Sequence, residues 1–206
     1  MGRGRRSRAW VTLHCTLART REFDEDQVLD AALQTFRRKG YEATTLPDLL
    51  EATGLARQSL YNAFGDKREL FLKSLRRYAD TEHGRMAEML RSLPIREAMA
   101  AIFESVLRSA DRECGCFLVN AASELLPREP EVGRIVASAM ARQEKALAGA
   151  LRRAVRKGDL RLPPRRIEQT ARFLMASLQG LIVMTKAMPR SRAGRDAAAM
   201  ALRAIE

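Results

Sequence analysis

From residue 24 onward, apolar residues recur every three or four positions along the chain, which is the spacing of helices with one buried face. Sustained alternation of apolar and polar residues is missing, and β-branched residues do not cluster as they do in strands. The pattern therefore predicts an all-α fold.

Three short helices are predicted near the N-terminus. The first covers about residues 24–40 and closes with a glycine. The second runs from Thr45, an N-cap residue with Asp48 at the capping-box position, to a stop at Gly54. The third covers about residues 57–64 and is barely two turns long.

The remainder of the chain is predicted to form a larger helical body. A fourth helix begins with a capping box at Asp66 and continues toward Leu90. It is followed by a helix near 95–110, a less regular stretch around 114–126, long helices at about 131–157 and 165–187, and a terminal helix at 193–205. We therefore divide the chain into an arm (1–22), a small helical module (23–70) and a larger helical domain (71–206).

The chain of 206 residues carries 37 Lys and Arg against 25 Asp and Glu, a formal charge of +12. Such an excess favours polyanionic partners such as nucleic acid, although a soluble basic protein without one can have the same balance. The arm holds six arginines and one glutamate, and we expect it to be flexible. It can contact phosphates or stay a solvated tail, and translation starting near Leu17 would remove most of it.

Other classes of protein are disfavoured by what the sequence lacks. The three cysteines have no spacing typical of a disulfide framework or a zinc finger, which fits a reducing cytoplasm. No apolar run approaches the roughly 18 residues of a membrane-spanning helix. Phosphate loops, dinucleotide fingerprints and catalytic triads are missing as well. We expect a cytoplasmic protein that is not an enzyme, has no membrane partner, and is assigned no metal or cofactor.

A helix, a tight turn with glycine and a second short helix form the layout that places a helix in the major groove of DNA. Here the turn is at residues 54–56, and Arg57 and Gln58 open the second helix. Arginine can donate two hydrogen bonds to guanine and glutamine can pair bidentately with adenine, whereas Tyr61 and Lys67 are placed for phosphate. The same spacing also fits an ordinary amphipathic hairpin with a solvated polar face.

The run from Phe36 to Phe71 resembles the DNA-binding signature of the TetR/AcrR family of regulators. The resemblance implies a TetR-type fold with an N-terminal three-helix helix-turn-helix domain and a C-terminal helical domain for ligand binding and dimerisation. The sequence departs from the family at Ala56, where Ser or Thr is common, and at Asn62, where His is common. The matching positions are Gly40, Tyr41, Thr44, Thr45, Gly54, Leu60, Tyr61, Phe64, Lys67 and Leu70. The expected DNA-binding residues are Thr44, Thr45, Arg57, Gln58, Ser59, Tyr61, Asn62 and Lys67.

The helix at about 165–187 has two apolar sides, which need two partners. It is either buried within its own domain or shared with a second subunit. The family resemblance implies a homodimer through the helices around 131–157 and 165–187, which would read a near-palindromic operator in double-stranded DNA. A non-specific architectural DNA binder is the alternative, for which the basic arm is the best feature.

The resemblance also implies a sequence-specific repressor that a small-molecule, largely apolar inducer releases from its operator. The inducer would occupy a pocket between the fourth helix and the helices that follow it. All candidate lining residues are also suited to an ordinary core. They are Met86, Met89, Leu90, Phe103, Val106, Leu107, Phe117, Leu118 and Phe173.

Cys114 and Cys116 flank a single glycine and suggest an alternative regulator of the same fold. Two thiols at this spacing can bind a soft metal such as Cu(I) or respond to oxidants, provided that the segment is a loop. They can equally be small buried hydrophobic residues. The sequence does not distinguish these roles.

Overall fold

The computed structural model describes residues 23–108, 114–189 and 191–206. Within these residues the chain forms nine α-helices and no strand, which confirms the all-α prediction. The predicted arm at residues 1–22 lies outside the described residues. The helices are α1 (Glu25–Lys39), α2 (Leu46–Thr53), α3 (Arg57–Phe64), α4 (Lys67–Ser92), α5 (Ile95–Arg108), α6 (Phe117–Leu125), α7 (Pro130–Lys157), α8 (Ile167–Ala187) and α9 (Arg192–Leu202).

The predicted capping residues begin and end the early helices. The hydroxyl of Thr45 accepts a hydrogen bond from the amide of Asp48 at 3.4 Å, and the Asp48 carboxylate accepts one from the amide of Thr45 at 2.9 Å. Gly54 ends α2 at φ 67°, a left-handed conformation that glycine adopts without strain. The Asp66 carboxylate caps α4 by accepting a hydrogen bond from the amide of Glu69 at 2.8 Å.

The stretch around 114–126 was expected to be less regular, and this expectation is wrong for its central part, which is α6. Its buried residues are Phe117, Leu118, Ala121 and Leu125, which lie on one face of a helix. No side chain caps the first turn of α6, so the sequence carries little signal for where this helix begins. Burial of that apolar face, and not a local cap, accounts for the helix.

Two clusters of buried residues form the interior. One joins the N-terminal module (α1 to α3) to the first turns of α4, to α6 and to the start of α7. The other joins the end of α4 to α5, the later part of α7, α8 and α9. Ile182 on α8 packs against both clusters. The N-terminal module therefore has no separate core, because α6 and α7 of the body (α4 to α9) complete it.

Phe71 lies at the centre of the first cluster and is 1% exposed. Its ring centroid is 5.1 Å from that of Phe36, 4.8 Å from that of Tyr41 and 5.4 Å from that of Phe117, all in edge-on arrangements. Such contacts add to the free energy gained from burying the rings. They fix α1, the loop after it and α6 around one point of α4.

Candidate nucleic-acid interface

The short helix α3 divides into a buried and an exposed side as its sequence predicts. Leu60 and Phe64 are 3% and 2% exposed and hold α3 against the rest of the N-terminal module. Arg57, Gln58 and Asn62 are exposed. Helix α3 therefore presents polar groups of three different kinds on the open surface of the module.

Neighbouring side chains restrain these exposed groups. The guanidinium of Arg57 lies 5.6 Å from the ring centroid of Tyr61, within the range of a cation–π interaction. The side-chain amide of Gln58 donates a hydrogen bond to Oδ1 of Asn62 at 2.8 Å. Ser59 and Tyr61 are half-buried at the edge of the same surface. The surface is thus partly ordered before any ligand binds.

Lys67 and Thr45 lie on the elements next to α3. The ammonium of Lys67 lies 4.5 Å from the ring centroid of Tyr41 and donates a hydrogen bond to the carbonyl of Glu42 at 3.4 Å. Thr45 is exposed and serves as the N-cap of α2. Both side chains have a structural contact in addition to any contact with DNA.

Thr44 is placed differently from the sequence prediction. Its side chain is buried, at 1% exposure, and its hydroxyl donates a hydrogen bond to the carbonyl of Gly40 at 2.5 Å. A hydroxyl in this position closes the loop between α1 and α2 and has no open face toward DNA. The expectation that this side chain contacts DNA is therefore not supported by the structure.

Asp48 ties α2 to α1 as well as capping it. The ammonium of Lys39 donates a hydrogen bond to Asp48 Oδ1 at 2.7 Å. This bond, followed by those from the backbone and side chain of Thr45, lowers the pKa of Asp48 to about 2. The carboxylate is therefore ionised near neutral pH, and the capping box keeps its acceptor.

Position 56 begins α3 without a side-chain cap. Ala56 has φ −66° and ψ 148°, the extended conformation of an N-cap residue, but forms no capping hydrogen bond. We expect Ala56→Ser to raise the free energy of unfolding by about 1 kcal/mol, because serine supplies the missing acceptor. Urea denaturation followed by circular dichroism measures this change.

Ala52→Ser is the matched control for this prediction, since Ala52 is exposed within α2. In a helix interior serine is a weaker helix former than alanine, so this variant should be slightly less stable than the parent. Equal effects at positions 52 and 56 would show that the gain does not come from capping.

A cavity of about 320 Å³ lies where α1 meets the body. Helices α4, α5 and α8 and the residues before α6 complete it. Most of its lining side chains are polar. The lining residues are Arg37, Tyr78, Glu82, Arg85, Ser105, Val106, Gly115, Cys116, Ile182 and Thr185.

The predicted ligand residues are not brought together around this cavity. Of that set, Val106 lines it, and Leu107 lines a second cavity of about 250 Å³ between α5, α8 and α9. Phe173 is 49% exposed on the outer side of α8. Met86, Leu90 and Phe103 are buried in the second core cluster with Met89 packed against it, and Phe117 and Leu118 are buried in the first.

The cavity residues that sequence reasoning missed are polar. The helical pattern gives no sign that Arg37 lines a pocket, because this residue lies beside the buried stripe of α1. Its guanidinium lies 5.6 Å from the ring centroid of Tyr78. Arg85 forms an ion pair with Glu82 at 2.8 Å. These charged side chains differ in kind from the apolar residues that were expected to line a pocket.

Cys116 faces this cavity from the start of α6, and Cys114 is half-buried. Burial raises the pKa of the Cys116 thiol, and hydrogen bonds from the backbone of Val119 and the side chain of Tyr78 offset only part of this effect. Burial likewise raises the pKa of Tyr78 well above its usual range. Both groups are therefore neutral near pH 7.

The described residues hold neither a metal-site grouping nor a membrane-spanning helix. Among them, no three side chains of His, Cys, Asp or Glu are grouped as a metal site requires. None of the described helices combines the length and apolar character needed to cross a membrane.

Two family models match the chain. The model for bacterial regulatory proteins of the tetR family matches residues 28–73. The model for the tetracyclin repressor-like C-terminal domain matches residues 95–201. The matches cover the helix-turn-helix and most of the body.

Two relatives that are transcriptional regulators match this chain over most of their length. The chain is 35% identical over 174 residues to the uncharacterised HTH-type transcriptional regulator YezE of Bacillus subtilis, covering 82% of this chain and 90% of YezE. It is 32% identical over 174 residues to the HTH-type transcriptional repressor ComR of Escherichia coli, covering 82% of each protein. The similarity therefore extends well beyond the helix-turn-helix.

Solved structures share the arrangement of both parts. A cysteine mutant of the TetR family transcriptional regulator CifR, complexed with 26-bp operator DNA, is 31% identical, with a TM-score of 0.77 over 89% of this chain and 97% of CifR. A TetR family regulator from Cytophaga hutchinsonii has a TM-score of 0.79 at 19% identity, over 90% of this chain and 98% of that one. At that identity the second likeness shows the fold alone.

Proposed function

Because the chain belongs to the TetR family and is a DNA-binding transcriptional regulator, we propose that it is a homodimeric repressor released from a near-palindromic operator by a small molecule. The exposed polar edge of α3 carries this proposal. Arg57, Gln58 and Asn62 lie on a helix whose opposite side is anchored by Leu60 and Phe64. A helix held in this way can enter the major groove without losing its packing.

The residues of the interface divide into base-reading and phosphate-binding groups. Arg57 and Gln58 begin α3, the part of a recognition helix that meets base edges. The hydrogen bond between Gln58 and Asn62 restricts the amide that would face adenine. Tyr61 and Lys67 lie at the edge of the surface and are suited to phosphate, as are the hydroxyls of Ser59 and Thr45.

This division predicts two kinds of variant. Arg57→Ala and Gln58→Ala should each relax base preference at one position of the half-site, at a cost of about 1 to 3 kcal/mol for the preferred base. Tyr61→Phe and Lys67→Ala should weaken binding about equally on all sequences. Sequencing the DNA that purified protein selects from a random pool measures the base preference, and titration of an operator and a random duplex measures the uniform loss.

The parent protein is the reference for this experiment and also tests the proposed function. It should enrich a motif with two related half-sites, whereas a non-specific architectural binder would enrich none at physiological salt. If the parent enriches a motif and the Arg57 and Gln58 variants enrich the same one, the assignment of these two residues is wrong.

The outer side of α8 supports a dimer. Phe173 and Val183 are 49% and 52% exposed, and Ala176 and Gly180 between them are exposed as well. Their spacing of three and four residues places all four side by side on one face. On α7, Ala137 and Ala141 are also exposed. Apolar and small residues on two long helices fit a four-helix bundle formed with a second subunit.

The cavity between α1 and the body supports an inducer site. Its volume suits a small organic molecule, and its lining joins Arg37 of α1 to Arg85 of α4 and Ile182 of α8. The polar lining favours an inducer with hydrogen-bonding or charged groups over the largely apolar one expected from the sequence. A ligand releases the operator only if it binds the conformation that has low affinity for DNA more tightly than the conformation that binds DNA. A compound that stabilises the protein thermally and also lowers operator affinity would meet this requirement.

A further inference from the structure

A pair of hydrogen bonds joins α6 to the loop between α1 and α2. Glu124 lies near the end of α6, more than 80 residues after the loop in sequence. Its carboxylate accepts a hydrogen bond from the amide of Tyr41 at 2.9 Å and another from the amide of Glu42 at 2.8 Å. Hydrogen bonds to an ionised acceptor are stronger than neutral ones. Both oxygens of one side chain thus hold two consecutive backbone groups.

The loop is shaped for this approach at Gly40. Gly40 has φ +80°, a conformation that residues with a side chain rarely adopt. A Cβ atom added there would lie 2.9 Å from Oε2 of Glu124, closer than such contacts occur. The backbone conformation therefore favours glycine, and a side chain at this position would also displace the Glu124 carboxylate.

The loop leads directly into the helix-turn-helix. Thr44 and Lys67 each bond to a carbonyl of the loop, and both belong to the stretch of chain that forms the DNA-binding motif. Glu124 contacts the same loop from outside that stretch. Thr45, which follows Thr44 at the end of the loop, caps α2, and α2 in turn supports α3. A shift of the loop would therefore move α2 and the recognition helix with it.

The opposite end of α6 lies at the cavity. Gly115 and Cys116 immediately precede α6 and line the cavity wall. At a rise of about 1.5 Å per residue, the nine residues of α6 span about 13 Å. Phe117 and Leu118 in its first turn, Ala121 in its middle and Leu125 at its end are buried, so the helix is packed along its length. Helix α6 therefore connects the cavity wall to the loop before the helix-turn-helix.

We infer that Glu124 is a positioning residue for operator recognition, through which the body holds the helix-turn-helix in its DNA-binding geometry. This inference rests on the proposed binding of a specific operator. Glu124 itself touches no DNA. It acts by fixing the amides of Tyr41 and Glu42, and a change in α6 at the cavity reaches the recognition helix through this contact.

Variants at position 124 test the inference. In Glu124→Ala we expect operator affinity to fall about tenfold, since two charge-assisted hydrogen bonds are lost. Affinity for a random duplex of the same length should change less than about twofold, because the phosphate-binding residues are intact. Glu124→Gln keeps one acceptor oxygen in nearly the same shape and should lose about threefold. Fluorescence anisotropy with both duplexes measures the ratio of the two affinities.

Hydrogen exchange supplies a readout at the contact itself. The amides of Tyr41 and Glu42 should exchange about tenfold faster in Glu124→Ala than in the parent, while amides in the middle of α7 keep their rates. Glu129→Gln is the matched control. Glu129 is an acid at the same end of the body, and its carboxylate pairs with the Arg68 side chain. Its replacement leaves the hydrogen bonds to the two loop amides unchanged. This variant should keep the parent's ratio of operator to random affinity.

The outcomes separate this inference from the proposed function. Faster exchange at Tyr41 and Glu42 with an unchanged affinity ratio would overturn the inference, since the contact would then be only structural. An equal loss in Glu129→Gln would overturn it too. If Glu124→Ala fails to fold, Glu124→Gln decides on the same criteria. A parent protein that does not distinguish the selected operator from random DNA would instead contradict the proposed function.

Discussion

Phe71→Ala is expected to lower the free energy of unfolding by about 3 to 5 kcal/mol, the usual cost of removing a buried aromatic ring. The ring is 1% exposed and contacts the rings of Phe36, Tyr41 and Phe117. Those residues belong to α1, the following loop and α6. Because the substitution would leave an empty space between the N-terminal module and the body, both parts should lose stability together. Urea denaturation followed by circular dichroism measures the change.

Phe71→Leu is the control for this prediction. Leucine keeps most of the apolar volume, so the expected cost is smaller, about 1 to 2 kcal/mol. A cost below about 1 kcal/mol for Phe71→Ala would contradict the central position of this ring. Separate transitions for the two parts of the molecule in the parent protein would contradict the shared core.

Val183→Arg is expected to convert the dimer into a monomer and to lower operator affinity by on the order of 100-fold, because two linked heads bind more tightly than one. In the proposed dimer Val183 lies on the face that meets the second subunit, and an arginine there would be buried without a partner charge. The side chain is 52% exposed in the single chain, so the change costs little within one subunit. Sedimentation velocity and operator titration measure the two effects.

Met200→Arg is the matched control, since Met200 is an exposed apolar residue of α9 with 58% exposure. This variant should remain a dimer and keep the operator affinity of the parent. A parent protein that sediments as a monomer at micromolar concentration would contradict the dimer. A Val183→Arg variant that stays dimeric would place the interface elsewhere.

The helix-turn-helix could be predicted from the sequence because its signals are local. The capping residues Thr45 and Asp66 lie beside the helices they begin, and Gly54 lies beside the one it ends. The missing cap at Ala56 was equally visible, because it depends on the type of one residue. The exposed edge of α3 followed from the spacing of Leu60 and its apolar neighbours.

Features that depend on distant contacts could not be predicted in this way. Thr44 was expected at the DNA surface from its polar side chain and its place in the motif, but tertiary packing buries it. The cavity forms where helices fail to pack completely, which no helical periodicity encodes, and its lining is polar where apolar residues were expected. Glu124 contacts residues 83 and 82 positions away, so no local pattern links them.

The shared core also limits how hybrid regulators can be built from this protein. An exchange of residues 28–73 alone would place foreign side chains against Phe117 and Leu118 of α6, which complete the core of the N-terminal module. The incoming loop would also need a glycine opposite Glu124. The transplantable unit is therefore the N-terminal module together with the first turns of α4, α6 and the start of α7, which is a discontinuous piece of the chain.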